Sequence, residues 1–395
     1  MSSEKDDFLR LIGQTSPNPI GLQVSRAEGC FIFDRSGKRY YDLISGFSVS
    51  NIGHGRPEVI RSILDQAGDY LHTMVYGELI QQPQLELARL LTENLPPSLN
   101  QVYFLNSGAE AVEGAMKLAK RITGRPHMAS FNNAYHGSTQ GALSLMGNER
   151  FKTAFRPLLP GVSTLRFNEP DDLYLIDSHT AAVFIEPIQA EAGIRVPDPD
   201  YLKKLRQRCD ETGALLVYDE IQTGFGRTGK LFCLEHSGVV PDILLLAKAL
   251  GGGMPLGAIV ADRALLSAFT HDPPLGHVTT FGGHPVSCAA GEAALRFIIS
   301  QELAARAVIK ETWFRNGLKH PLIKEIRGCG LFLALQLENQ DHVSRFFQHA
   351  LDEGILFDYF LFCNDSIRVA PPLIIEKSEA EDLVARINRA LDRSA

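Results

Sequence analysis

Two short apolar runs, each ending in a charged residue, constrain this chain more than any other feature. The first reads Ala214-Leu215-Leu216-Val217-Tyr218-Asp219. The second reads Ile243-Leu244-Leu245-Leu246-Ala247-Lys248 and is followed by Gly251-Gly252-Gly253. Unbroken runs of this length, bounded by turn residues, suit strands buried on both faces of a parallel sheet. Ligands of such sheets bind beyond the carboxyl ends of the strands. The pattern therefore predicts that Asp219 and Lys248 face one crevice.

The surrounding sequence supports that sheet. Between about 101 and 290, strand patterns at Gln101–Leu105, His127–Phe131, Ala181–Ile185, Ala214–Asp219, Asp242–Ala247 and Gly257–Val260 alternate with helical ones. This is the doubly wound α/β arrangement. Ahead of it, residues 29–45 read as a hairpin around Ser36-Gly37, and helices are expected at Pro57–Leu71 and Gln84–Asn94. Behind it come one long helix, Gly291–Leu318, strands at Ile323–Arg327, Leu331–Gln336 and Ile367–Val369, and a last helix at Ser378–Leu391. The expected organisation is a large domain over 56–290, with 1–55 and 291–395 combining into a smaller α+β domain.

Composition narrows the function. A net charge of −7 and the lack of a basic block exclude a nucleic-acid footprint and an anionic membrane surface. No apolar run approaches the roughly 20 residues of a membrane span. The six cysteines are scattered, with no CxxC pair. They indicate neither a metal site nor a disulfide framework and suit a reducing cytosol. The polar stretch Met1–Asp7 lacks the apolar core of a signal peptide, so a cytoplasmic location is expected.

Burial of the run before Lys248 lowers the pKa of its amine and makes it nucleophilic. A nucleophilic lysine beside an aspartate is the pair that pyridoxal phosphate needs. The lysine serves the Schiff base, and the aspartate keeps the pyridine nitrogen protonated, so that the ring draws in electrons. Three further segments fit. Ser107-Gly108-Ala109 opens a helix after the strand at 101–105 and offers free amides to a phosphate. Tyr135, in Ala134-Tyr135-His136-Gly137-Ser138, is placed to cover one face of a flat ring. Ile221 is placed to cover the other, with Gln222 beside the ring's phenolic oxygen. Each has a plainer use when taken singly: Ser107 as a helix cap, Tyr135 as a lid on the core, Asp219 as a strand-end cap, Lys248 reaching solvent along its own stem. The stretch Gly224-Phe225-Gly226-Arg227-Thr228-Gly229 matches a dinucleotide-binding spelling, but no helix pattern begins at its end, so a nicotinamide cofactor is not expected.

Taken together, these segments resemble the class III aminotransferases of the ornithine, acetylornithine and 4-aminobutyrate type. The resemblance rests on Leu216 to Gly229, on Pro241-Asp242 to Lys248, and on Asn106-Ser107-Gly108-Ala109-Glu110-Ala111. It extends to Glu186-Pro187-Ile188-Gln189-Ala190-Glu191-Ala192-Gly193, to Thr279-Thr280-Phe281-Gly282-Gly283-His284-Pro285, and to Arg368 with Pro371-Pro372-Leu373. It covers nearly the whole chain. It implies a fold type I enzyme, homodimeric, with active sites shared between subunits, running a ping-pong exchange between an amino donor and a 2-oxo acid. Lys248 and Asp219 are then the catalytic pair. Ser107, Gly108, Ala109, Tyr135, His136, Ile221 and Gln222 join them in holding the cofactor, and Thr280 is given to a neighbouring subunit's phosphate. Arg368 takes the acceptor's α-carboxylate, and Glu191 masks Arg368 while the donor is bound.

Two positions depart from the pattern. Ornithine and acetylornithine enzymes usually carry an arginine after the stacking aromatic, where this chain has Ser138. Ornithine enzymes use a tyrosine near the N-terminus, where this chain has Phe47. A carboxylate buried there without a partner costs several kcal/mol. A less charged ω-amine or β-amino acid is therefore the expected donor, unless His136 or Tyr76 replaces the lost anchor. An aminomutase or racemase of the same fold, needing no keto acid, is the alternative.

Overall fold

The computed structural model describes residues 4–395. Residues 1–3, part of the stretch Met1–Asp7 and of the expected segment 1–55, lie outside the described residues. In chain order the strands are β1 (Val24–Glu28), β2 (Phe31–Asp34), β3 (Arg39–Asp42), β4 (Gln101–Leu105), β5 (His127–Phe131), β6 (Val162–Leu165) and β7 (Thr180–Ile185). They continue with β8 (Leu215–Asp219), β9 (Ile243–Ala247), β10 (Gly257–Ala261), β11 (Glu325–Cys329), β12 (Phe332–Gln336), β13 (Ile355–Leu356) and β14 (Ser366–Val369).

A seven-stranded sheet in the order β4-β10-β9-β8-β7-β5-β6 forms the centre of the fold. Residues 243–246 of β9 have no exposed surface at all, as the unbroken apolar run requires. β9, β8, β7, β5 and β6 run parallel, whereas β10 runs antiparallel to both of its neighbours. Gly257 at the start of β10 therefore pairs with Leu105 and Ala247, the last residues of β4 and β9. That reversal brings the strand ends carrying Ser107 and Lys248 to one edge.

Two smaller sheets flank this one. β13 pairs with β3 in parallel, Ile355 opposite Tyr41, so early and late parts of the chain share the sheet β1-β2-β3-β13. The sheet β11-β12-β14 is antiparallel and holds Arg368 opposite Ala334.

The single helix expected at Gly291–Leu318 is in fact two, Pro285–Ser300 and Leu303–Gly317. The chain turns at Glu302, where φ is +50°. The first helix packs against the helices Pro57–Asp69 and Gln82–Glu93, the second against Lys377–Asp392. Two different partners require two axes. The largely exposed β1, the half-exposed β6 and the two-residue β13 have no counterpart in the sequence reading.

The glycine-rich loop at 224–229 serves structure. No helix begins at its end. Arg227 is fully buried and donates to the carbonyls of Leu331 (2.9 Å) and Pro371 (2.6 Å) and to Asn51 Oδ1 (2.6 Å). One side chain thus ties together three distant segments. Among the described residues no helix is long and apolar enough to cross a membrane.

Candidate active site

A cavity of about 720 Å3 opens at the edge where β4, β8 and β9 end. Ten of the residues expected from sequence line it: Ser107, Gly108, Ala109, Tyr135, His136, Ser138, Asp219, Ile221, Gln222 and Lys248. They come from separate stretches of chain and meet only because the parallel strands align their carboxyl ends.

One wall is the start of the helix Gly108–Thr123. Ser107 is its N-cap, its hydroxyl accepting from Glu110 N at 3.2 Å. The first amides of a helix have no partner within it and sit at the positive end of its dipole. Asn106 secures the turn from the other side through Glu110 and Thr279 Oγ1, the latter at 2.7 Å. Gly108 has no room for a side chain, since a Cβ would lie 2.8 Å from Ile221 Cδ1.

Across the cavity lies a buried acid–base group. Asp219 Oδ2 sits 2.7 Å from His136 Nδ1, and Asp219 Oδ1 accepts from Ile221 N at 3.1 Å. Burial works against charge on His136, but the bond to Asp219 and the negative charge of Asp219 and Glu186 raise its pKa. His136 Nδ1 is thereby committed to Asp219, while its Nε2 is buried without a partner. Tyr76 lines a different cavity, beside Gln84 and His277.

Glu186 was missed as a site residue, although it stands at the end of the buried run β7 just as Asp219 ends β8. Its carboxylate accepts from Tyr135 N and Ala190 N, each at 2.9 Å. Burial pushes its pKa up to about 7.

Lys248 follows β9 directly, in the left-handed region at φ +53°. Its Nζ lies 3.3 Å from Gln222 Oε1. Burial lowers its pKa, and the charges of Glu191 and Asp219 offset part of that effect. Gln222 Nε2 is buried with no partner.

Beside the cavity, Arg368 Nη2 bonds Glu191 Oε1 at 2.7 Å, the two side chains being 1% and 6% exposed. Glu191 Oε2 also accepts from Leu361 N at 3.2 Å. The guanidinium lies over Phe360 at 4.6 Å and Phe47 at 5.2 Å, while its Nε and Nη1 have no partner. Phe47 itself stands at φ +61° in a short turn. Ser138 Oγ faces Tyr135 Oη at 3.2 Å. Thr280 is exposed and does not line this cavity.

These features fit pyridoxal phosphate: an open helix start for a phosphate, a carboxylate for a protonated ring nitrogen, an amide donor without a partner, and a partly desolvated amine.

Known proteins agree. The profile described as "Aminotransferase class-III" matches residues 12–391. The acetylornithine aminotransferase of Methanopyrus kandleri is 39% identical over 372 residues, 93% of each chain. A crystal structure of the ornithine aminotransferase from Toxoplasma gondii superimposes with TM-score 0.90 at 32% identity, covering 99% of this chain and 95% of that one. An (S)-enantioselective omega-transaminase from Thermomicrobium roseum gives TM-score 0.90 at 29% identity, covering 98% and 97%.

Proposed function

The chain belongs to the class III aminotransferases, and from that premise we propose that it draws its amino group from an ω-amine or β-amino acid and passes it to 2-oxoglutarate. It is a pyridoxal-phosphate-dependent transaminase exchanging an amino donor with a keto acid. The observation that carries the donor assignment is the environment of the buried Arg368–Glu191 pair. It is walled by Phe47, and Ser138 stands where an arginine would hold a distal carboxylate. An aromatic face and a small hydroxyl offer a donor's distal carboxylate less than an arginine and a tyrosine would, while Glu191 masks Arg368.

When bound, pyridoxal phosphate supplies the electron sink that stabilises negative charge on the carbon bearing the amino group. This chain's own residues do the rest. Ser107, Gly108 and Ala109 hold the phosphate at the helix start. Asp219, fixed by His136 and the Ile221 amide, would keep a proton on the ring nitrogen. Tyr135 and Ile221 cover the ring faces and exclude water. Gln222, whose buried amide has no partner, would donate to the phenolic oxygen. Lys248 is the lysine that binds the cofactor. Its amine, when free, would act as base and then acid for the proton on the substrate carbon.

Arg368 and Glu191 let one site serve two partners. With a dicarboxylic acceptor, the Arg368 fork grips the α-carboxylate through two parallel bonds. With an amine donor, Glu191 returns to Arg368 and cancels its charge. The exposed position of Thr280 suits contact with a second copy's phosphate, in a cytoplasmic homodimer.

The test is a half-reaction screen on the yellow holoenzyme without keto acid. Bleaching by ω-amines or β-amino acids, reversed by 2-oxoglutarate, is expected. Bleaching by ornithine or acetylornithine alone would remove the donor assignment. Interconversion of substrate isomers with no keto acid would turn the reading to an aminomutase or racemase.

A further inference from the structure

Glu191 sits on a loop whose backbone is fastened on both sides of it. Ahead of it, Glu186 accepts from Ala190 N at 2.9 Å, and Gln189 Nε2 donates to Asn132 O at 2.9 Å. Gln189 and Arg195 exchange backbone hydrogen bonds of 3.0 and 2.9 Å across the loop's base. At Glu191 itself, the carbonyl accepts from Phe362 N at 3.1 Å. Behind it, Arg327 Nε donates to Gly193 O at 3.0 Å. Gly193 has φ +86°, and a Cβ there would strike Cys363 and lie 3.0 Å from Arg327 Nη2. Every residue from Glu186 to Ile194 is buried. Moving this backbone would strand a series of buried polar groups. The Glu191 side chain is held by two bonds, from Arg368 and from the Leu361 amide.

Arg327, on β11, is a member of this fastening that the proposed chemistry does not use. Besides Gly193 O, its guanidinium donates to Ser366 Oγ at 2.9 Å, to Glu325 Oε2 at 3.0 Å and to Gln336 Oε1. Gly193 lies two residues after Glu191, and Ser366 lies two residues before Arg368. One buried fork thus spans the two strips of chain that carry the gate pair. We propose that Arg327 is a positioning residue for the switch between acceptor and donor. It sets the separation of Glu191 from Arg368, so that the Glu191 side chain swings over a fixed backbone. The inference rests on the gating role given to Glu191 under the proposed function.

The test compares single-turnover kcat/KM of the holoenzyme for two kinds of donor. L-Glutamate requires Arg368 to be free. 4-Aminobutyrate, β-alanine and 1-aminobutane require it to be masked. In Arg327→Met the ratio of glutamate to amine rates should rise about tenfold, the effect of losing roughly one charge-assisted hydrogen bond. Arg327→Lys, which can still reach one acceptor, should restore part of it. Ser366→Ala keeps the buried arginine and should shift the ratio in the same direction by less. A second readout uses the chain without cofactor: the amides of residues 190–194 should exchange faster in Arg327→Met. An unchanged ratio in both Arg327→Met and Ser366→Ala, whether the rates drop together or hold, overturns the inference. Glu191→Gln separates the two levels. If it shifts the ratio and the Arg327 and Ser366 variants do not, only the positioning role fails. If Glu191→Gln leaves the ratio alone, or the wild type reacts with none of the three amines, the gate or donor reading fails and this inference with it.

Discussion

Lys248 combines two costs at one position. Its backbone is left-handed, which disfavours any side chain by about 1–2 kcal/mol. Its amine is also drawn away from water. Strain of this kind persists where surrounding structure enforces it, as β9 and the following turn do here. Replacing Lys248 with alanine should abolish transamination, and measurable turnover with any donor would refute its assigned role. Arg368 makes a different prediction because its fork is only half used: Nη2 is engaged, while Nε and Nη1 are buried without partners. Arg368→Ala should slow the 2-oxoglutarate half-reaction on the order of a hundredfold, the scale of two charge-assisted hydrogen bonds. The amine half-reaction should suffer much less. Stopped-flow bleaching and recovery measure the two separately, and equal losses would remove the gating idea.

The strand ends and the loops that follow them behave as units. Glu186 fastens two such loops through the amides of Tyr135 and Ala190. Its pKa lies near 7 in the fold, above its ordinary value of 4.5. The folded state therefore binds the proton more tightly than the unfolded chain. That contribution is complete below about pH 4.5 and is lost as pH rises through 7, with a slope of at most about 1.4 kcal/mol per pH unit. Glu186→Gln removes the titration. Thermal melts between pH 5 and 8 should show the variant gaining on the wild type as pH rises, and a constant difference would contradict the assignment. The strands that hold these loops were legible because five-residue runs without polar interruption have few alternatives to a buried parallel sheet. β6 was not, since Val162-Ser163-Thr164-Leu165 is a half-exposed edge of ordinary composition. The turn at Glu302 carries no glycine or proline, so nothing local announced it. The bond between His136 and Asp219 joins residues 83 apart, and only the assembled sheet brings them together. Resemblance supplied the roles of Glu191, Arg368 and Thr280, which no local pattern marks.

At the scale of the whole molecule, the position of Thr280 matters most. It is exposed and turned to no cavity that holds Lys248. In the proposed homodimer each site then draws Lys248 from one chain and Thr280 from the other. Mixing Lys248→Ala subunits with Thr280→Ala subunits after dissociation should restore activity, because each mixed dimer has one intact site. If mixing restores nothing beyond the sum of the parents, the shared-site arrangement does not hold.

The reversed strand β10 has a consequence for how the chain finds its structure. β9 and β10 are antiparallel neighbours joined by Lys248 to Leu256, so they form by local closure alone. The parallel pairs around them, such as β7 with β8, must first close long crossovers. Refolding should therefore build the lysine's hairpin early and the aspartate's neighbourhood late. In pulsed hydrogen exchange, residues 244–246 and 258–260 should gain protection together, ahead of residues 215–218. The amine would then be in place before the crevice that makes it reactive has closed around it.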